Sequence, residues 1–152
     1  MKAICVMTGK VNGIIYFIQN IKGGSVHVKG KIVGLSKGLH GFHVHEYGDV
    51  SNGCTSAGEH FNPYNRQHGD ISDKIHRHVG DFGNVYADEN GVANIDFHDD
   101  IISLCGTNNI IGRTLVVHDS PDDLGKTDHP LSKTSGNSGG RLGCGIIGIA
   151  KD

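Results

Sequence analysis

The chain has 152 residues, 20% of them charged, and a formal net charge of −2 at pH 7. That length supports one domain with its own core, expected to span residues 1–152. The charge balance excludes an extended basic surface for nucleic acid and an acidic disordered tail.

Taken in chain order, short runs rich in Val, Ile and aromatics alternate apolar with polar residues: KAICVM (2–7), IIYFIQ (14–19), SVHVKGKIVG (25–34), HGFHVHE (40–46), NVYAD (84–88), VANIDF (92–97), RTLVVHD (113–119) and CGIIGIA (144–150). Each has strand length and strand composition. Asn12-Gly13, Gly23-Gly24 and Asn90-Gly91 read as turns between them. No helical periodicity exceeds two turns, so the expectation is all-β, an antiparallel sandwich or barrel. Residues 47–80 and 119–141 break the rhythm. Loops this long are uncommon and usually functional or disordered. No apolar run approaches 18 residues, which excludes a membrane-spanning helix. The N-terminal MKAICVMTGK lacks the apolar core and cleavage site of a secretory leader. A cytoplasmic protein is expected.

Eleven histidines are too many for background use, and neutral imidazole is the commonest metal ligand. His43 and His45 alternate with Phe42 and Val44, so a strand would put both imidazoles on one face. His118 ends the strand-like TLVVH. His60, His68, His78 and Asp81 lie in or beside the first long loop. Metal ligation would supply an ordering force to set against the entropy of that loop. Spacing leaves the number and kind of metals open. Four cysteines, Cys5, Cys54, Cys105 and Cys144, allow three disulfide pairings. A reducing compartment favours four thiols. Cys5 and Cys105, among apolar neighbours, read as small buried hydrophobes.

GFHVHEYGD (41–49), GCTSAGEHFNP (53–63), RHVGDFGNV (77–85), IIGRTLVVHD (110–119), DDLGK (122–126) and GGRLGCGIIGIA (139–150) resemble the copper/zinc superoxide dismutases, in the family's order and over nearly the whole chain. The resemblance implies an eight-stranded antiparallel Greek-key β-sandwich or barrel, immunoglobulin-like, with two long functional loops. It implies disproportionation of superoxide by a histidine-bound copper ion beside a structural zinc ion, one each per chain. His43, His45, His60 and His118 would bind copper. His60 would bridge to zinc, completed by His68, His78 and Asp81. Asp122 would join His43 to His68, Arg141 would lie beside the copper with His60 as the other catalytic residue, and Cys54 would pair with Cys144. Superoxide is the implied substrate, a homodimer the implied assembly through GDVSNGCTSAG, IIGR and GIIGIA, and a copper chaperone an implied partner. The donor sets agree with this allocation: three imidazoles and a carboxylate close a zinc shell, and an all-imidazole set suits copper.

His76 shares the two-residue spacing with His78, but the family pattern places the ligand directly before VGD, so His76 reads as solvent-facing. His40 stands where the family often has a structural histidine; His27, His98 and His129 read as ordinary polar positions. The second loop departs from the family. Pro130 and Leu131 stand where an acidic pair is common, Thr134 and Ser120 where lysines are, and Lys133 is adjacent. Glu59 stands where proline is frequent. A non-catalytic metal-binding or chaperone-like domain would lack part of this ligand set. A zinc hydrolase would need an open coordination position. An adhesion module would leave the ligands unexplained.

Overall fold

The computed structural model describes all residues, 1–152. Nine strands form: β1 (Lys2–Gly9), β2 (Asn12–Ile18), β3 (Val26–Val33), β4 (Gly38–His45), β5 (Ser51–Cys54), β6 (Asp81–Ala87), β7 (Ala93–Asp99), β8 (Thr114–His118) and β9 (Arg141–Ile149). Eight of them close a barrel in the order β1-β2-β3-β7-β6-β4-β8-β9, every pairing antiparallel. Every alternating run of the sequence becomes one of these eight. β5, outside the barrel, and a 3₁₀ turn, Thr55–Ala57, break up the first long loop. No helix is long and apolar enough to cross a membrane.

Alternation sends Ala3, Cys5, Ile15, Phe17, Val28, Phe42, Val44, Leu115, Val117 and Ile147 into one apolar interior, each 0% exposed. Removing one large side chain from such a core, as in Phe42→Ala, typically costs about 3–5 kcal/mol. The β6–β7 turn falls at Asn90-Gly91 as expected: Gly91 takes φ 76°, and its N–H donates to the Asp88 carbonyl. The first turn does not fall at Asn12-Gly13. Both residues lie inside β2, paired with Val33 and Ile32, and the chain reverses at Lys10-Val11. Gly13 is there because a Cβ would press on the Lys31 carbonyl of β3. Cys5 is buried, whereas Cys105 is only half-buried, its Sγ 3.7 Å from Ser103 Oγ in the turn-rich segment before β8.

The barrel's outer face is not all solvent-facing. From Gly41 onward on β4, and along β8, the residues opposite the core are as buried as the core itself. The long segments 46–80 and 119–140 cover them. A backbone ladder holds the first segment on β4: Glu46 N–H donates to the Glu59 carbonyl, Phe61 N–H to Val44 and Val44 N–H to Gly80.

Candidate metal centre

His43 and His45 lie on β4 and His118 at the end of β8, all on the covered outer face. His60 is bound to His45 through an isolated antiparallel bridge. Asp81 opens β6, with His68 and His78 in the preceding loop. The structure brings all seven together. Two groups of four donor atoms, each within 4.8 Å of one another, emerge: His43, His45, His60 and His118; and His43, His60, His68 and Asp81. All seven residues are 6% exposed or less.

The hydrogen bonds fix which ring nitrogen is available. His45 Nδ1–H donates to the Gly58 carbonyl at 2.8 Å and His118 Nδ1–H to Gly139 at 3.2 Å. A carbonyl only accepts, so each Nε2 carries the lone pair. His43 Nε2 and His68 Nε2 both lie 2.7 Å from the Asp122 carboxylate, on Oδ2 and Oδ1 respectively, leaving each Nδ1 as the lone-pair atom. His43 Nδ1, His45 Nε2, His60 Nε2, His68 Nδ1 and His118 Nε2 are buried with no hydrogen-bond partner. Five such orphans in one place are exceptional, since buried polar atoms are nearly always paired. A cation is the simplest partner for lone pairs that converge.

The second group centres on the Asp81 carboxylate. Its Oδ1 lies 2.9, 3.0 and 3.2 Å from the Nδ1 atoms of His60, His68 and His78. His60 Nδ1 and His78 Nδ1 are 3.2 Å apart. Four donors around a tetrahedral ion with bonds of about 2.0–2.1 Å should stand about 3.3 Å from one another, close to these spacings. His43 also falls within this group's radius, but it has one unpartnered nitrogen and can serve only one ion; His78 fills the place. His60 faces both groups, Nδ1 toward the second and Nε2 toward the first.

Burial pushes the imidazolium form of His43 and His45 well below the ordinary histidine value, helped by His60 beside both and Arg141 beside His45. Burial likewise lowers His118 to about 4 and lowers His60. These rings are neutral at pH 7, the form a metal needs. Burial works to raise the Asp81 carboxyl, but the imidazoles of His60, His68 and His78 close around it outweigh that and hold Asp81 well below the carboxylate range. His68 is opposite: burial lowers it, but Asp122 and Asp81 outweigh that and raise it to about 9, so a cation binding at its Nδ1 would have to displace a proton there.

Arg141, first residue of β9, donates from Nη1 to the Cys54 carbonyl at 2.7 Å and from Nη2 to the Gly58 carbonyl at 2.6 Å. Gly58 thus accepts from both Arg141 and His45. Cys54 and Cys144 form a disulfide with Cα atoms 5.8 Å apart; it packs with Ala57 and Val116 and ties the first loop to β9. Over the first group opens a cleft of about 600 Å³, lined by His45, His60, His118, Arg66, Lys133 and Arg141, with Glu59 its one carboxylate. Lys133 reaches back to donate to the Gly125 carbonyl. His76 is exposed beside Asp73, outside both groups, and His40 is buried, bridging the carbonyls of His118 and Ser36.

Three supporting residues escaped the sequence reading. Asn84 grips the Asp122 backbone reciprocally, accepting from its N–H at 2.7 Å and donating to its carbonyl at 3.0 Å. Gly136, at φ 70°, sits where a Cβ would collide with both the Asp122 carboxylate and His68 Nε2. Arg77 is fully buried, paired with Asp99 at 2.8 Å, and donates to the carbonyls of Ile71, His78 and Val79. Its place in RHVGD was visible, but not its partner 22 residues away.

The copper/zinc superoxide dismutase (SODC) family model matches residues 11–147. A relative named as a Cu-Zn superoxide dismutase in Autographa californica nuclear polyhedrosis virus is 60% identical, over 99% of this chain and 100% of its own. One of the same name in Orgyia pseudotsugata multicapsid polyhedrosis virus is 57% identical over 98% of each. A crystal structure of the clock protein EA4 superposes with a TM-score of 0.93 at 53% identity, covering 98% of this chain and 94% of that one.

Proposed function

The chain belongs to the copper/zinc superoxide dismutase family, whose reaction turns two superoxide anions and two protons into dioxygen and hydrogen peroxide, and on that premise we propose that His43, His45, His60 and His118 hold copper while His60, His68, His78 and Asp81 hold zinc. The observation that carries this is the convergence of unpartnered, buried ring nitrogens on two adjoining points. Bound copper would supply the one-electron exchange that zinc, with one oxidation state, lacks.

The chain's own residues do the rest. Arg141 uses two of its five N–H donors on carbonyls, which aims the guanidinium into the cleft. The remaining donors and the fixed charge suit a small anion. Asp122 holds His43 and His68 in one tautomer and one orientation, so the two groups are positioned together. His60 Nε2 is the shared ring's atom on the cleft side, and can take up a proton and give it back. The loops keep bulk water from the ligands, and the cleft leaves one approach.

Superoxide decay timed with the copper- and zinc-loaded protein tests the reading. Acceleration that falls in Arg141→Gln is expected; a loaded protein that leaves the spontaneous decay rate unchanged sinks it. The proposal extends to a homodimer. Tyr47, Val50, Ile146 and Ile149 are 42–77% exposed, and all lie in or beside the segments named above. Sedimentation should give twice the chain mass, and the chain mass for Ile149→Asp. Cytoplasmic residence and loading by a copper chaperone belong to the same proposal.

A further inference from the structure

His27 on β3 and His98 on β7 are register partners on the barrel's outer face. Their rings stack, centroids 4.3 Å apart and planes within 5°. His27 Nε2 lies 2.6 Å from Asp96 Oδ1. Neither strand contributes a ligand to the centre described above, so nothing in the proposed reaction uses this cluster.

We propose that His27 and His98, with Asp96 as third donor, form an auxiliary surface site for a borderline divalent transition-metal ion such as Zn²⁺. Three observations point there. The donors are two imidazoles and one carboxylate, a set that suits such ions. The pairing is set by the β3–β7 ladder, so the two rings are held together by backbone, not by loop chance; cross-strand partners have Cβ atoms about 4.5–5.5 Å apart. The surrounding charge favours a dication. Asp96 lies two residues before His98 on β7 and so shares its face, Asp100 follows just past the end of the strand, and both are exposed. The cations nearby are Lys29, the register partner of Asp96, and Lys74, paired with Asp100 at 3.3 Å. Binding requires the stacked rings to turn a nitrogen toward each other, giving up the stack. His98 and Asp96 are exposed and have room to do so.

The test is calorimetric titration of Zn²⁺ into the protein already loaded with copper and zinc, its metal content fixed beforehand by elemental analysis. One further equivalent should bind in the micromolar range. It should weaken at least tenfold in His27→Gln and in His98→Gln, and less in Asp96→Asn. It should be unchanged in His76→Gln, the exposed His/Asp pair of the first loop. Substoichiometric Cu²⁺ should broaden the His27 and His98 ring resonances before those of His76 and His129. No further equivalent in the loaded protein, or one that survives at full affinity in His98→Gln, overturns the proposal.

Discussion

Asp122 shows how much one side chain decides. Its two oxygens each take an imidazole at 2.7 Å, its backbone is gripped by Asn84, and Leu124 N–H donates to Oδ1 at 2.7 Å. Asp122→Asn keeps the shape but turns one acceptor into a donor facing a ring N–H. Metal affinity should fall about 10- to 100-fold, measured by competition with a chelator. The cleft charges act at the same scale. A unit charge about 7 Å from an anion in water changes its approach rate by about threefold. Glu59→Gln should raise the low-salt dismutation rate by about that factor, and Lys133→Gln should lower it. Both differences should vanish near 1 M salt, where the Debye length is about 3 Å. The two free cysteines should part company as well. Burial pushes the Cys5 thiol up to about 12, so at pH 8 it stays protonated and out of reach. Cys105 is half-buried at the surface. Alkylation of the folded protein at pH 8 should label Cys105 and spare Cys5.

Individual residues were legible where the chain repeats a rule, and less so where geometry bends it. His43 and His45 share a strand face because β4 alternates. His76 and His78 have the same spacing, but they lie in a loop with no alternation to obey. There Asp73 draws His76 outward, its side chain 82% exposed, while Asp81 draws His78 inward to 7%. The resemblance to the family set the two apart, as their burial does; spacing alone had no means to.

The eight barrel strands were readable because burying one face imposes a period of two. The loops carry no period, so their order was hidden in pairs far apart in sequence. Arg77 is the clearest case. Its guanidinium caps three loop carbonyls, including that of His78, and its charge is matched by Asp99 at the end of β7. Both side chains are 1% exposed. Removing one member of a buried pair leaves an uncompensated charge and costs about 3–5 kcal/mol. Asp99→Asn should therefore lower unfolding stability by about that amount in the metal-free protein, read from denaturant midpoints. Because the clamp holds the His78 carbonyl, it should also loosen the Asp81-centred group more than the all-histidine group. The disulfide is another such pair. Composition and compartment argued for four thiols, yet the fold sets Cys54 and Cys144 side by side across a separation of 90. Only the family resemblance pointed to that pairing.

At the scale of the whole molecule, a barrel supplies the rigidity and its outer face supplies the site. Strands β4 and β8 present three imidazoles from a framework held by ladders on both sides. The loops then bury those imidazoles, which makes them neutral and leaves their lone pairs without partners. A cation would complete that arrangement, and Arg141, lining the cleft, is the charge proposed to dock the anion. The most direct test of the central claim is the metal content of one purified, loaded sample, measured beside its superoxide decay rate, for the native chain and for His118→Gln. The account predicts one copper and one zinc per native chain with rapid dismutation, and a variant that keeps zinc while losing copper and activity together. Dismutation that persists in the variant without copper, or a native chain that holds both metals and does not accelerate the decay, would contradict it.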